Sequence, residues 1–406
     1  MAKIIPFKAV RPTRDKVSLV TSRSYEDYTA AELASQLDFN PMSFLHILNP
    51  AYTNQQKIAF EKRYKQVHQK YQEFKNEHIL IQDQKPSVYL HQIVSKGQIF
   101  TGIIVGTSIE DYKNEVIKKH EDTLEFRVEL FKDYMKFAGF NTEPVLMTYP
   151  DNIIIQQWID EKIQNQPEYE FSSTNKDVHY LWKIDNEEEI IKLQSQFEQI
   201  GDLYIADGHH RSASAEMLFE ENSTSLKESQ NYFMSFLIAD SNVKIYEYNR
   251  LIKDLNGHTK ESFIEAIKDF FIVENKGQEL YHPKKKHDFA MYLDGEFYGL
   301  QLKQEKCHFE TILDHLDAQI LYNKLLFPIL GIEDLRNDER IEYVPGKQSI
   351  LTIKEMVDDE EFEIGFMLFP STISEIKNIA DENLIMPPKS TYIEPKFRSG
   401  LIVYEL

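Results

Sequence analysis

Cysteine is nearly absent from this 406-residue chain: Cys307 stands alone, so no internal disulfide and no multi-cysteine metal site can form. Positive charge is scarce too. Lys and Arg total 46 against 66 Asp and Glu, a formal net charge of −20 with His neutral. Such a surface repels phosphodiester backbones, which argues against nucleic acid as a partner. The acidity is spread along the chain, as at 187–189 and 358–363, and reads as solvated faces and loops. A local basic pocket in so acidic a body would favour a small anionic ligand. No apolar run approaches the length of a membrane span, and Met1 to Val10, with two lysines and a proline, lacks a signal-peptide core. The expectation is a cytoplasmic protein with no membrane partner. Repeats and low-complexity segments are missing as well.

What is present is a globular composition, 42% hydrophobic and 12% aromatic. The length suggests two domains, 1–250 and 251–406, or one interleaved unit. A short strand is predicted at 4–7, a polar helix-prone stretch at 53–75, and a hairpin at 88–94 and 98–105 through Lys96-Gly97. Leu124, Val128, Phe131 and Met135 recur at helical spacing behind a capping-box pattern of Asp122 and Glu125, with Gly139 at the exit. A second helix is predicted at 187–199, capped by Asn186, with Ile190, Leu193 and Phe197 inward. Segments 231–238 and 243–248 read as two strands across a short turn, and Asp294-Gly295 as a hairpin turn. A helix is expected at 314–327, then strand 365–369, helix 373–380 and strand 401–404. This mixture predicts an α+β fold, with mixed and antiparallel sheets and packed helices.

The chemistry concentrates in LYIADGHHRSASAEMLF, residues 203–219. An apolar strand meets Asp207, Gly208, His209, His210 and Arg211, and a helix-prone segment follows. A helix start exposes unpaired N–H groups and attracts phosphate, and an adjacent Arg adds a bidentate fork. Gly208 permits a close approach that a Cβ would forbid. Asp207 can hold a His tautomer, accept a proton or bind Mg²⁺. The plain alternative is a helix start whose Asp caps and whose Arg makes a salt bridge; four such residues in five positions favour function. Two weaker candidates stand elsewhere. His120, Glu121, Asp122 and Thr123 precede the capped helix, with Arg127 a turn beyond, and Glu121 can serve as a general base. Pro387 and Pro388 stiffen a turn that presents Lys389, Ser390 and Thr391, types that suit phosphate without the glycines of a P-loop.

In order along the chain, IPFKAVRP at 5–12, NPMSFLHI at 40–47, KKHEDT at 118–123, YIADGHHR at 204–211, LGI at 330–332 and MPPKSTYIEPK at 386–396 resemble one family. It is the bacterial and archaeal domain of unknown function 1015. The chain departs from the pattern at Ser24-Tyr25-Glu26, where Pro-Tyr-Asp is expected. The corner also resembles the Gly-x-His-Arg corner of the sulfiredoxin and ParB-like superfamily, which includes free serine kinases. That resemblance implies a nucleotide-binding core with Asp207, Gly208, His210 and Arg211 lining a phosphate site and His209 at the variable position. His209 stands where sulfiredoxin needs its catalytic Cys, which excludes sulfiredoxin chemistry.

On this resemblance the leading expectation is a small-molecule phosphotransferase. ATP, ADP or pyrophosphate would be the donor, with Mg²⁺ held partly by Asp207. His210 and Arg211 would neutralise charge, Glu121 would be the base, and His120, Thr123 and Arg127 would bind substrate. Gly208, His209, Lys389, Ser390 and Thr391 would contact the donor. The alternatives are a non-catalytic nucleotide-binding module and, from the DGHH letters, a metal-dependent phosphoesterase.

Overall fold

The computed structural model describes residues 2–49, 59–221 and 227–406. They form two compact units. The first comprises Met1–Lys119, Thr123–Val243 and Pro395–Leu406; the second comprises His120–Asp122 and Lys244–Glu394. The boundary expected after 250 therefore lies inside the second unit.

The first unit is built on a nine-stranded mixed sheet. Its order is Ile117–Lys118, Leu203–Asp207, Val145–Tyr149, Tyr232–Ala239, Gln98–Ser108, Val88–Ser95, Val178–Ile184 and Tyr169–Ser172, with Ile4–Ile5 also on Gln98–Ser108. The predicted hairpin forms, and Lys96 (φ 47°) and Gly97 (φ 81°) supply the two left-handed residues that a tight two-residue turn requires. Tyr232–Ala239 and Val145–Tyr149 are buried at every position, as expected of strands covered on both faces. Helix Glu187–Gln199 sits as predicted: Asn186 accepts the Glu189 N–H at 3.0 Å, and Ile190, Leu193 and Phe197 are buried. Helix Phe60–Asn76 fills most of the polar stretch; 53–58 lie outside the described residues.

One expectation fails here. Helix Glu125–Ala138 ends on Gly139 (φ 79°) as predicted, but its N-cap is Leu124 and no side chain caps it. The Asp122 carboxylate instead meets Arg336, at 3.3 Å, within the second unit. The strands expected at 231–238 and 243–248 form as Tyr232–Ala239 and Lys244–Tyr246 across the turn Asp240–Asn242, and each joins other strands. Both edges of Tyr232–Ala239 are taken, by Gln98–Ser108 antiparallel and Val145–Tyr149 parallel. Lys244–Tyr246 joins Tyr392–Glu394 instead, and Tyr248–Ile252 joins Ile341–Pro345 and Ile364–Met367.

The second unit carries a six-stranded antiparallel sheet in the order Phe271–Gly277, Glu296–Leu302, Asp288–Leu293, Ile364–Met367, Tyr248–Ile252 and Ile341–Pro345. Asp294 (φ 48°) and Gly295 (φ 76°) make the predicted hairpin turn. The helix expected at 314–327 is broken into a tight turn at Ile312–His315, an α-helical turn at Asp317–Leu321 and a wider π turn at Tyr322–Leu326. The Phe327 N–H reaches the Tyr322 carbonyl at 3.0 Å, five residues back, as a π turn requires. No described helix is long and apolar enough to cross a membrane.

Candidate functional site

The 207–211 corner forms as a strand, a turn and a helix. Leu203–Asp207 lies between Val145–Tyr149, antiparallel, and Ile117–Lys118, parallel. A register shift between Ile205 and Asp207 marks a bulge, the device by which a strand end re-aims its side chains. Gly208 then takes φ +102°, and helix His209–Glu221 begins at once. A Cβ on Gly208 would lie 3.1 Å from the Arg211 guanidinium, so glycine is needed both for the dihedral and for the fold-back of Arg211.

Every charged member of the corner is held. Arg211 donates to Asp207 Oδ2 at 3.1 Å and to the Pro144 carbonyl at 2.7 Å, with Glu143 at 3.7 Å. Lys396 Nζ approaches the same Asp207 oxygen at 3.3 Å. Burial alone would raise the Asp207 carboxyl, but Lys396 and Arg211 outweigh it and hold the pKa below the usual value. His209 is buried, and that burial, aided by the electrostatic influence of His210, Lys119 and Arg211 against the pull of Asp207, pushes its pKa down to about 3. It is neutral at physiological pH. His210 is half-buried, and its Nε2 accepts the Leu124 N–H at 3.2 Å, which places the ring proton on Nδ1. Ser214 Oγ donates to the Val128 carbonyl at 2.9 Å, tying this helix to Glu125–Ala138.

The corner thus presents a carboxylate between two cations at a helix start. Phosphate oxygens can exchange for Asp207 on Lys396 and Arg211, since both donors are charge-assisted. Asp207 offers carboxylate oxygens of the kind Mg²⁺ takes beside substrate phosphates, and would be the residue to hold it. Lys396 was missed in the sequence because it stands far from 207–211, although it is the final residue of MPPKSTYIEPK. Thr123, half-buried, and Arg127, exposed on helix Glu125–Ala138, belong to this same unit.

The remaining candidates fall in the second unit. The His120 carbonyl accepts the Met386 N–H at 2.9 Å, and Glu121 is half-buried. Lys389 adopts φ +54°, and its carbonyl accepts from Arg250 at 3.3 Å. Ser390 Oγ donates to the Pro387 carbonyl at 2.7 Å, closing the turn, and Thr391 is buried.

The family model for a protein of unknown function, DUF1015, matches residues 4–319, most of the chain and the whole of the 203–211 corner. The chain belongs to the DUF1015 family. In this DUF1015 member the LGI and MPPKSTYIEPK motifs lie beyond the matched span. No curated protein matches its sequence. Among solved structures it is similar to a free serine kinase in complex with AMP, at 14% identity and a TM-score of 0.36, over 74% of this chain and 91% of that one. SbnI with C-terminal truncation from Staphylococcus aureus is similar at 12% identity and 0.38, over 73% and 85%. A conserved hypothetical protein from Pyrococcus furiosus is similar at 14% and 0.34, over 76% and 97%.

Proposed function

We propose that the 207–211 corner binds the phosphates of a nucleotide or of pyrophosphate, and that the protein transfers a phosphoryl group from that donor to a small hydroxyl compound. The observation that carries this reading is Asp207 set between Arg211 and Lys396 at a glycine turn into a helix. Cations already aimed at an oxyanion need no reorganisation to take a phosphate oxygen. In the transfer the donor's terminal P–O bond breaks, a P–O bond to the acceptor oxygen forms, and the hydroxyl proton leaves to a base. Mg²⁺ at Asp207 would supply charge neutralisation when bound. The test is a product screen: ATP, ADP and pyrophosphate against serine and other small hydroxy compounds, followed by phosphorus NMR. Turnover lowered at least a hundredfold by Arg211→Met is expected; no turnover in any combination overturns the transfer.

A non-catalytic nucleotide-binding module is the second reading. It is favoured by the way Arg211 is already pinned to the Pro144 carbonyl, which suits a static clamp. The same product screen, run beside a thermal-shift measurement, separates the two: nucleotide raises Tm under both readings, and product forms only under the first.

A further inference from the structure

Four tyrosines of the second unit form a row, and a cation lies over each. Tyr246 and Tyr392 are 6.3 Å apart between ring centroids, Tyr392 and Tyr248 5.9 Å, and Tyr248 and Tyr343 6.3 Å. Lys244 Nζ lies 5.6 Å from the Tyr246 ring, Lys347 Nζ 4.4 Å from Tyr392 and Lys389 Nζ 5.2 Å from Tyr248. The Arg250 guanidinium carbon is 5.5 Å from Tyr343. The register explains the row. Tyr246 faces Tyr392 across one ladder and Arg250 faces Tyr343 across the next, while Tyr248 shares a face with Arg250 two residues on. The rings are half-buried and the three lysines exposed, an island of positive charge on a chain of net −20. Lys347 also meets Glu394 at 3.4 Å and donates to the Tyr392 hydroxyl.

Arg250 is the second, independent observation. It is 1% exposed, and its terminal nitrogens donate only to the backbone carbonyls of Tyr248 and Lys389. Its Nε is buried with no partner, and among the described residues no carboxylate oxygen lies within 4.0 Å of the guanidinium. Glu247 acts on it only at longer range. Burial lowers its pKa to about 10, which leaves it charged at neutral pH. A desolvated cation with no carboxylate in contact is destabilising. The carbonyl it holds belongs to Lys389, a non-glycine residue at φ +54°, and backbone strain of this kind gathers at ligand clamps.

We propose that this row binds a mononucleotide, its base stacked on a tyrosine ring and its phosphate on Lys389 and Lys347, supplying the counter-charge that Arg250 lacks. Aromatic rings accept any flat base, and Arg and Lys match phosphate. The net charge of −20 opposes an extended polyanion, so one nucleotide fits better than a strand. This site stands independently of the corner.

The test is photolabelling of the full-length protein with 8-azido-ADP and mapping of labelled peptides. Label is expected in the peptides containing 244–248 or 392, displaced by unlabelled ADP. It should fall at least tenfold in Lys389→Glu, an exposed change that spares the core, and in Tyr248→Ala, and persist in Arg211→Met. Label confined to peptides of 203–211, or not displaced by ADP, overturns the proposal. Displacement by a single-stranded oligonucleotide but not by ADP overturns it in favour of a nucleic-acid surface.

Discussion

The corner at 207–211 and the tyrosine row at 246–392 both gather cations in an acidic protein, yet they balance them in opposite ways. At the corner Arg211 and Lys396 share a carboxylate, and the guanidinium is fixed by a carbonyl as well. In the row Arg250 is buried deeper, and its hydrogen bonds go to backbone carbonyls, with the Tyr343 ring beneath it. Charge that is matched internally gives a preorganised surface whose ligand must displace Asp207. Charge left unmatched is destabilising until something anionic arrives. The buried acid–base groups of the two units contrast as well: His91, His179 and His209 in the first, Asp317 in the second.

The largest expected effect breaks that last comparison with pH. Burial, with His91 and Arg398 adding at His179, pushes His91 and His179 down to about 3 and 2, and His209 down to about 3. The folded state keeps all three neutral while the unfolded chain protonates them near 6.5. The unfolded state therefore binds more protons between about pH 3 and 6.5, and stability is lost as pH falls, by up to about 1.4 kcal/mol per pH unit per histidine. Asp317 has the opposite sign. Burial raises it to about 7 against Lys286 and the His287 N–H, so the folded state keeps a proton that the unfolded chain releases above about 4. Stability from this group falls as pH rises from about 4 to 7. Urea unfolding of the full chain at pH 4, 5, 6 and 7 should give a shallower slope for His209→Gln and a steeper one for Asp317→Asn. Unchanged slopes would refute the assignment.

Next in size is the turn itself. Gly208→Ala forces a side chain into φ +102° and against Arg211, and should cost on the order of 1–3 kcal/mol, read from the urea midpoint. A loss under about 0.5 kcal/mol would show that the turn relaxes freely. A direct comparison of the two arginines follows. Arg211→Met strips Asp207 of one cation and the Pro144 carbonyl of its donor, and should destabilise by about 1–3 kcal/mol. Arg250→Met removes a charge that meets no carboxylate among the described residues, and should change stability by less than about 1 kcal/mol in either direction. Equal losses would mean that Arg250 has a counter-charge in solution. The smallest effect separates a real cap from an apparent one. Asn186→Ala should lower Tm through the loss of about 1 kcal/mol, whereas Asp122→Ala, which breaks an exposed pair with Arg336, should cost no more than about 0.5 kcal/mol.

Local signals in the sequence were read well where they depend on neighbours in the chain. The turns at 96–97 and 294–295, the cap at Asn186, the exit at Gly139 and the strand–turn–helix of 203–221 all follow from a few adjacent residues. What was not legible shares a physical cause. Asp122 has the spacing of a cap, but its carboxylate is taken by Arg336, over two hundred residues away. Segments 231–238 and 243–248 read as strands on either side of a short turn, but the strands they join come from 98–108, 145–149 and 341–394, which no local signal names.

By itself the sequence determined where an anion site can form, because an apolar strand, a glycine and a polar helix start are enough to build a corner. It also determined the acidic character that makes any cationic patch conspicuous. Tertiary structure alone decided which charges are neutralised: it brought Lys396 to Asp207, buried His209 and left Arg250 buried with no carboxylate in contact among the described residues. Electrostatic energy depends on distance and desolvation, and neither is encoded until the chain has closed on itself.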